Sequence, residues 1–157
     1  MADEIKITGL EGVRKALRAL PKEVRKREVQ KALRPGANLI RNRARALVPE
    51  GVSFTRKLRG KTWSHDAGHL RKNIVTRAEK KKYLLDTARL RIGVLSSRRD
   101  PNVGAWYWKF VEFGTSKKSR SGFLVPAFEQ TKFAADRLIK KALLKGVMRQ
   151  ANRVKSR

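Results

Sequence analysis

The chain has 157 residues, with 40 Lys+Arg against 13 Asp+Glu and a formal charge of +27. At 40% apolar and 34% charged it is too apolar for a wholly disordered basic tail, and its length suits one domain with its own core. The absence of cysteine excludes a disulfide framework, a thiolate nucleophile and a Cys-based zinc site, and suits a reducing compartment.

Met1 to Glu4 lacks the basic run of a secretory signal, and no apolar stretch approaches the ~20 residues that span a bilayer. A soluble protein without a membrane partner is expected. A charge this one-sided repels itself and attracts nucleic acid, an anionic surface or an acidic protein face.

The first predicted element is a short amphipathic helix, with Leu10, Val13, Leu17 and Leu20 on one face. Thr8 and Glu11 have the spacing of a capping box, and Pro21 suits the start of a second helix. In that helix Val29, Leu33, Ala37, Ile40, Ala44 and Leu47 form one stripe that keeps its phase across Pro35. A single kinked helix is predicted, with a break into two as the alternative; Pro49-Glu50-Gly51 ends it.

Residues 51–69 lack a period and read as a long loop. A strand is predicted over 73–79 and a clearer one over 87–94, where Ala88, Leu90, Ile92 and Val94 alternate with polar residues and Gly93. The basic run 79–82 reads as their hairpin connection. The aromatic segment 105–113 is ambiguous between helix and strand, and 114–122 is a polar loop. A long helix from about Pro126 follows, with Phe128, Ala135, Leu138, Ala142 and Leu143 sharing a face and Gly146 as a point of fraying. The domain is drawn over 1–148, with 149–157 as a basic tail.

Few residues suggest chemistry. His65 and His69, four apart around Asp66, have a helical zinc spacing, but Gly68 and the lack of a third ligand favour surface loop histidines. Glu112, between Val111 and Phe113, has the setting of a catalytic acid, but a carboxylate there is more often paired with Arg or Lys or turned to solvent. Glycines match no phosphate or dinucleotide loop. No catalytic residue, metal or cofactor is assigned.

The basic faces carry more weight. Residues 14–45 contain twelve Lys+Arg and two Glu, and residues 113–157 twelve against two acids, whereas a merely solvated face mixes both signs. Arg41, Arg45, Lys117, Lys118, Arg120, Lys140 and Lys141 are candidate contacts to a polyanion or an acidic partner. Trp106, Tyr107 and Trp108 cannot all face one core, so at least one is exposed or meets a partner.

Tyr107 to Ser116, with V-E-F-G-T at 111–115, then Phe123-Leu124-Val125-Pro126-Ala127-Phe128-Glu129, closely resembles a tailed-phage signature. The family is that of the tail-completion or neck proteins of long-tailed bacteriophages, relatives of minor tail protein Z. Ala44 to Pro49 is similar to its Ala-rich helix end, and Ala67 to Ile74 to its Thr-Gly-x-Leu-x-x-Ser-Ile turn, with Ala67 and Asn73 as departures. Ser121-Gly122 departs where a Pro commonly precedes the Phe.

The resemblance makes Trp106, Phe110, Val111, Glu112, Phe113, Gly114, Thr115, Phe123 and Pro126 the signature or assembly residues. The expected fold is α+β, a small antiparallel sheet packed against the long kinked helix and the C-terminal helix. The implied function is structural: a virion protein at the head-proximal end of the tail that completes it for head joining. By analogy it forms a ring, most simply of six copies, beside the tail tube, the tail terminator and neck proteins. The alternative is a nucleic-acid-binding module that touches the DNA end.

Overall fold

A computed structural model of the chain describes residues 9–51, 53–58, 60–79, 88–96, 104–117 and 119–155. Its elements, in order, are α1 (Gly9–Ala19), α2 (Lys22–Leu47), β1 (Phe54–Leu58), β2 (Lys61–His65), α3 (His69–Lys72), β3 (Ile74–Ala78), β4 (Leu90–Val94), α4 (Trp108–Phe113) and α5 (Leu124–Lys155). The fold is α+β. The described residues group into two compact units, one within 9–37, 78–79, 88–90 and 133–155, the other within 38–77 and 91–132.

In the first unit, two long helices meet through small side chains. A Cβ on Gly36 of α2 would lie 2.6 Å from the Ile139 side chain and 2.9 Å from the Ala135 carbonyl oxygen of α5. Ala32, Ala37 and Ala135 are buried with them. Glu28 is also buried; its Oε1 accepts from Lys31 Nζ at 3.2 Å and from Gln150 Nε2 at 3.1 Å. Gly146 makes room for this carboxylate, since a Cβ there would stand 2.8 Å from Glu28 Oε2.

These contacts correct the apolar stripes. On α2 the stripe's Ala37 and Ala44 are buried, but so are Glu28, Ala32 and Gly36, one step out of phase with Val29 and Leu33, which are only half-buried. On α5 the stripe's Ala135 is buried, but Phe128 and Leu138 are exposed, and Gly146 and Val147, outside the stripe, are buried. Close helix packing selects small residues, and a hydrophobicity stripe follows large ones. Gly146 is therefore interior to the helix and not a fraying point, and the segment read as a tail remains helical through Lys155.

α2 runs unbroken through Pro35, which decides for one helix over two. Thr8 and the connection at 80–87 lie outside the described residues.

The second unit buries Ala44, Val48, Leu70, Ile74, Ala105, Phe123 and Ala127 as one cluster, with Ile92, Val94, Trp108 and Val111 packed against it. Strand β3 pairs with β4. The bonds Glu79 N–H to Arg89 O and Leu95 N–H to Asn73 O cross at opposite ends of the pair, so it is antiparallel. Both predicted strands are present, and β4 is shorter than the alternation suggested.

The long loop at 51–69 is corrected. It contains the antiparallel hairpin β1–β2, with Phe54 opposite His65 and Leu58 opposite Lys61, followed by α3. The tight connection places Gly60 at φ 74°, a backbone region that favours glycine. Its rungs mix residue types: Thr55 Oγ1 and Ser64 Oγ lie 3.2 Å apart across the strands, while Arg56 stands opposite Trp63 and Leu58 opposite Lys61. A hairpin without apolar alternation leaves no period-two signal.

Candidate assembly surface

The ambiguous aromatic segment resolves as a turn and the short helix α4. Its last residues and the start of α5 form one arrangement around Glu112, which is 1% exposed. Glu112 Oε2 accepts the backbone N–H of Phe123 at 2.8 Å and of Leu124 at 3.0 Å; Oε1 accepts that of Val125 at 3.3 Å. Pro126 has no N–H to satisfy, and the Ala127 N–H bonds the Phe123 carbonyl at 3.2 Å.

Every otherwise unpaired donor at the head of α5 is thus accounted for by one carboxylate from another helix. Its negative charge also suits the positive end of the helix dipole. Among the described residues Glu112 has no ion-pair partner, and it is not turned to solvent, so neither bland alternative of its sequence setting is seen there.

The neighbouring signature residues hold that carboxylate in place. Gly114 ends α4 at φ 79°, ψ −177°, a conformation essentially confined to glycine, and its N–H bonds the Phe110 carbonyl at 3.1 Å. Thr115 Oγ1 accepts the Lys117 N–H at 3.3 Å. Ser121 N–H returns to the Val111 carbonyl at 3.1 Å, which closes the loop on α4. Phe123 is fully buried and Val111 packs on the core.

The other aromatics face outward. Trp106, Phe110 and Phe113 follow one another at spacings of four and three and are 39%, 52% and 63% exposed. The Trp106 ring meets Trp63 and Phe110 edge-on, at centroid distances of 6.3 and 6.0 Å.

A family model described as "Bacteriophage HK97-gp10, putative tail-component" matches residues 11–114, about two-thirds of the chain. The chain belongs to this HK97-gp10-like family. Searches of curated proteins and of solved structures returned no significant match. The matched region of this tail component ends on Gly114, the glycine that closes α4.

The turn at 67–74 is also explained locally. Gly68 sits at φ 74° and its N–H bonds the Glu50 carbonyl at 2.7 Å. Leu70 and Ile74 enter the core, and Asn73, buried, donates through Nδ2 to the His69 carbonyl at 2.9 Å.

The two histidines are not both surface residues. His65 is 3% exposed, and its ring centroid lies 4.2 Å from that of His69 and 5.6 Å from that of Tyr107. They border a cavity of about 440 Å³ with Glu50, Asp66, Tyr107 and Ser121. Burial, and then the neighbouring His69, lower the His65 pKa below the ordinary imidazole value, against an opposing pull from Asp66. Burial raises the Tyr107 hydroxyl. Among the described residues no group of three His, Asp or Glu side chains is arranged to hold a metal.

The candidate cationic contacts have separate fates. Arg45 Nη2 and Nε donate to the Ile74 carbonyl at 2.7 and 3.1 Å, so this guanidinium ties α2 to β3. Arg41 donates to Asn42 Oδ1 at 3.0 Å. Lys140 pairs with Asp136 at 2.6 Å. Lys117, Arg120 and Lys141 are exposed, and Lys118 lies outside the described residues. Among the described residues, no helix is long and apolar enough to cross a membrane.

Proposed function

We propose that this tail component is a non-enzymatic structural subunit of the virion, placed at the head-proximal end of the tail. There it completes the tail and takes part in head–tail joining as one copy of a ring, beside the tail tube, the tail terminator and neck proteins. One observation carries the reading. The carboxylate of the signature is consumed in starting α5, while the signature aromatics Trp106, Phe110 and Phe113 stand on the surface. Such a block builds a contact face, and its polar groups are already bonded to backbone.

The test is a nonsense mutant of the gene combined with imaging of complemented particles. Unjoined heads and tails in the mutant, and density for the chain at the junction, are expected. A purified protein that stays monomeric with tail components and is absent from mature particles defeats the proposal.

A second reading, contact with the DNA end, is favoured by the charge of the C-terminal segment, including exposed Arg137, Lys141, Lys145 and Arg149 on α5. Tight duplex binding at physiological salt with a steep salt dependence supports it; binding that vanishes there while tail proteins are still bound assigns the charge to protein docking.

A further inference from the structure

We propose that the exposed stripe Trp106, Lys109, Phe110 and Phe113 docks an acidic segment of another virion protein that carries apolar anchor residues. This deepens, and rests on, the reading of the chain as a structural subunit.

The shape of the stripe comes from α4. Lys109, Phe110 and Phe113 lie on α4, Trp106 reaches the Phe110 ring from the preceding turn, and all four are exposed. Trp106 is braced edge-on by Trp63 and Phe110, and Phe113 lies 6.5 Å from Trp108. The rings are therefore held in position before any partner arrives, which lowers the ordering cost of binding.

Charge selects the occupant. The sequence from 104 to 122 carries the cations Lys109, Lys117, Lys118 and Arg120 and a single carboxylate, Glu112. Glu112 is buried beneath α4 with its oxygens bonded to backbone. The stripe thus sets the Lys109 ammonium among exposed rings, with exposed Lys117 and Arg120 following in sequence and the segment's one carboxylate withdrawn, so complementary charge must come from the partner. A second copy is the less suitable occupant of this face, because the stripe it would bring carries Lys109 and its Glu112 carboxylate is buried. Nucleic acid is also less suitable, because the Trp106 and Phe110 rings stand nearly perpendicular, at 87°, and so do not present parallel faces to successive bases.

The experiment uses the full-length protein as bait for a display library of overlapping fragments tiling every virion protein of the same phage, this chain included. A single-stranded oligonucleotide is measured in parallel. The expected result is enrichment of acidic fragments with aliphatic or aromatic residues. Their affinity should fall at least about tenfold with Phe110→Ser plus Phe113→Ser and about threefold with Lys109→Glu. Phe110→Ser alone serves if the double variant unfolds; an unchanged melting temperature is the control.

Enrichment of basic or neutral fragments, of this chain's own fragments, or of none overturns the proposal. So does fragment binding that ignores the substitutions, or oligonucleotide binding at physiological salt that depends on the same aromatics. Loss of this surface with the chain still present at the junction sinks only the docking proposal. Intact fragment binding with the chain absent from particles sinks only the reading of function.

Discussion

Glu112 and Phe123 are eleven residues apart, yet the Glu112 carboxylate receives the Phe123 backbone N–H at 2.8 Å and starts a helix of 32 residues. The same oxygen serves Leu124, and the other serves Val125. Two signature blocks that look independent in the sequence are thus one unit, an acceptor and its donors. Substituting Glu112 by Ala is expected to destabilise the protein by about 3 kcal/mol, as three backbone donors, one of them fully buried, lose a charged acceptor. Glu112→Gln, which keeps one oxygen, should cost about half as much. Urea melts check both, and equal losses for the two variants would contradict the capping account.

Gly114 should be close to irreplaceable. At φ 79°, ψ −177° a Cβ is strained whatever the space around it, so Gly114→Ala should cost about 1–3 kcal/mol. Because the strain sits at the junction of α4 and its loop, hydrogen exchange should speed up first at Phe123 and Leu124.

Gly36 and Gly93 make a matched comparison. A Cβ at Gly36 meets Ile139 at 2.6 Å and backbone at 2.9 Å, whereas one at Gly93 meets nothing within 4 Å. Gly36→Ala should destabilise by about 1–3 kcal/mol through overpacking. Gly93→Ala should change stability by about 0.5 kcal/mol or less. Thermal melts that rank the two in the opposite order would refute the close approach of α2 and α5 in their unit.

The His65 pKa is lowered in the folded state, so the unfolded chain binds more protons in mildly acidic solution. Stability contributed by the neutral ring is present above the unfolded value of about 6.5 and is lost as pH falls from there through the folded value. The groups facing it are His69, Asp66 and Tyr107. Stability in urea should fall over that window, and His65→Gln should flatten the fall. A slope unchanged by that substitution assigns the effect to other groups.

Arg45 and Lys141 should separate structure from charge. Arg45→Met removes two bonds to the buried Ile74 carbonyl and should cost about 1–3 kcal/mol. Lys141→Ala, at an exposed position, should leave stability within about 0.5 kcal/mol while lowering polyanion affinity. Circular-dichroism melts and salt-dependent binding read the two effects apart.

The sequence by itself determined the α+β class, the existence of α1 and of an unbroken α2, both strands of the second pair, and the family, through the block around V-E-F-G-T. Periodicity and glycine placement act over a few residues, and a few residues suffice to display them. Only the tertiary structure decided the rest. It turned the stretch after Gly51 into a hairpin, because Phe54, Leu58 and Trp63 are set among hydroxyls and cations without a continuous alternation that a sequence pattern could register. It buried Glu28, Ala32 and Gly36 against α5, because close-packed helices need small residues where a stripe count looks for large ones. It gave Glu112 its role, because an N-terminal donor set accepts any carboxylate that arrives in space, and separation along the chain does not reveal which one arrives.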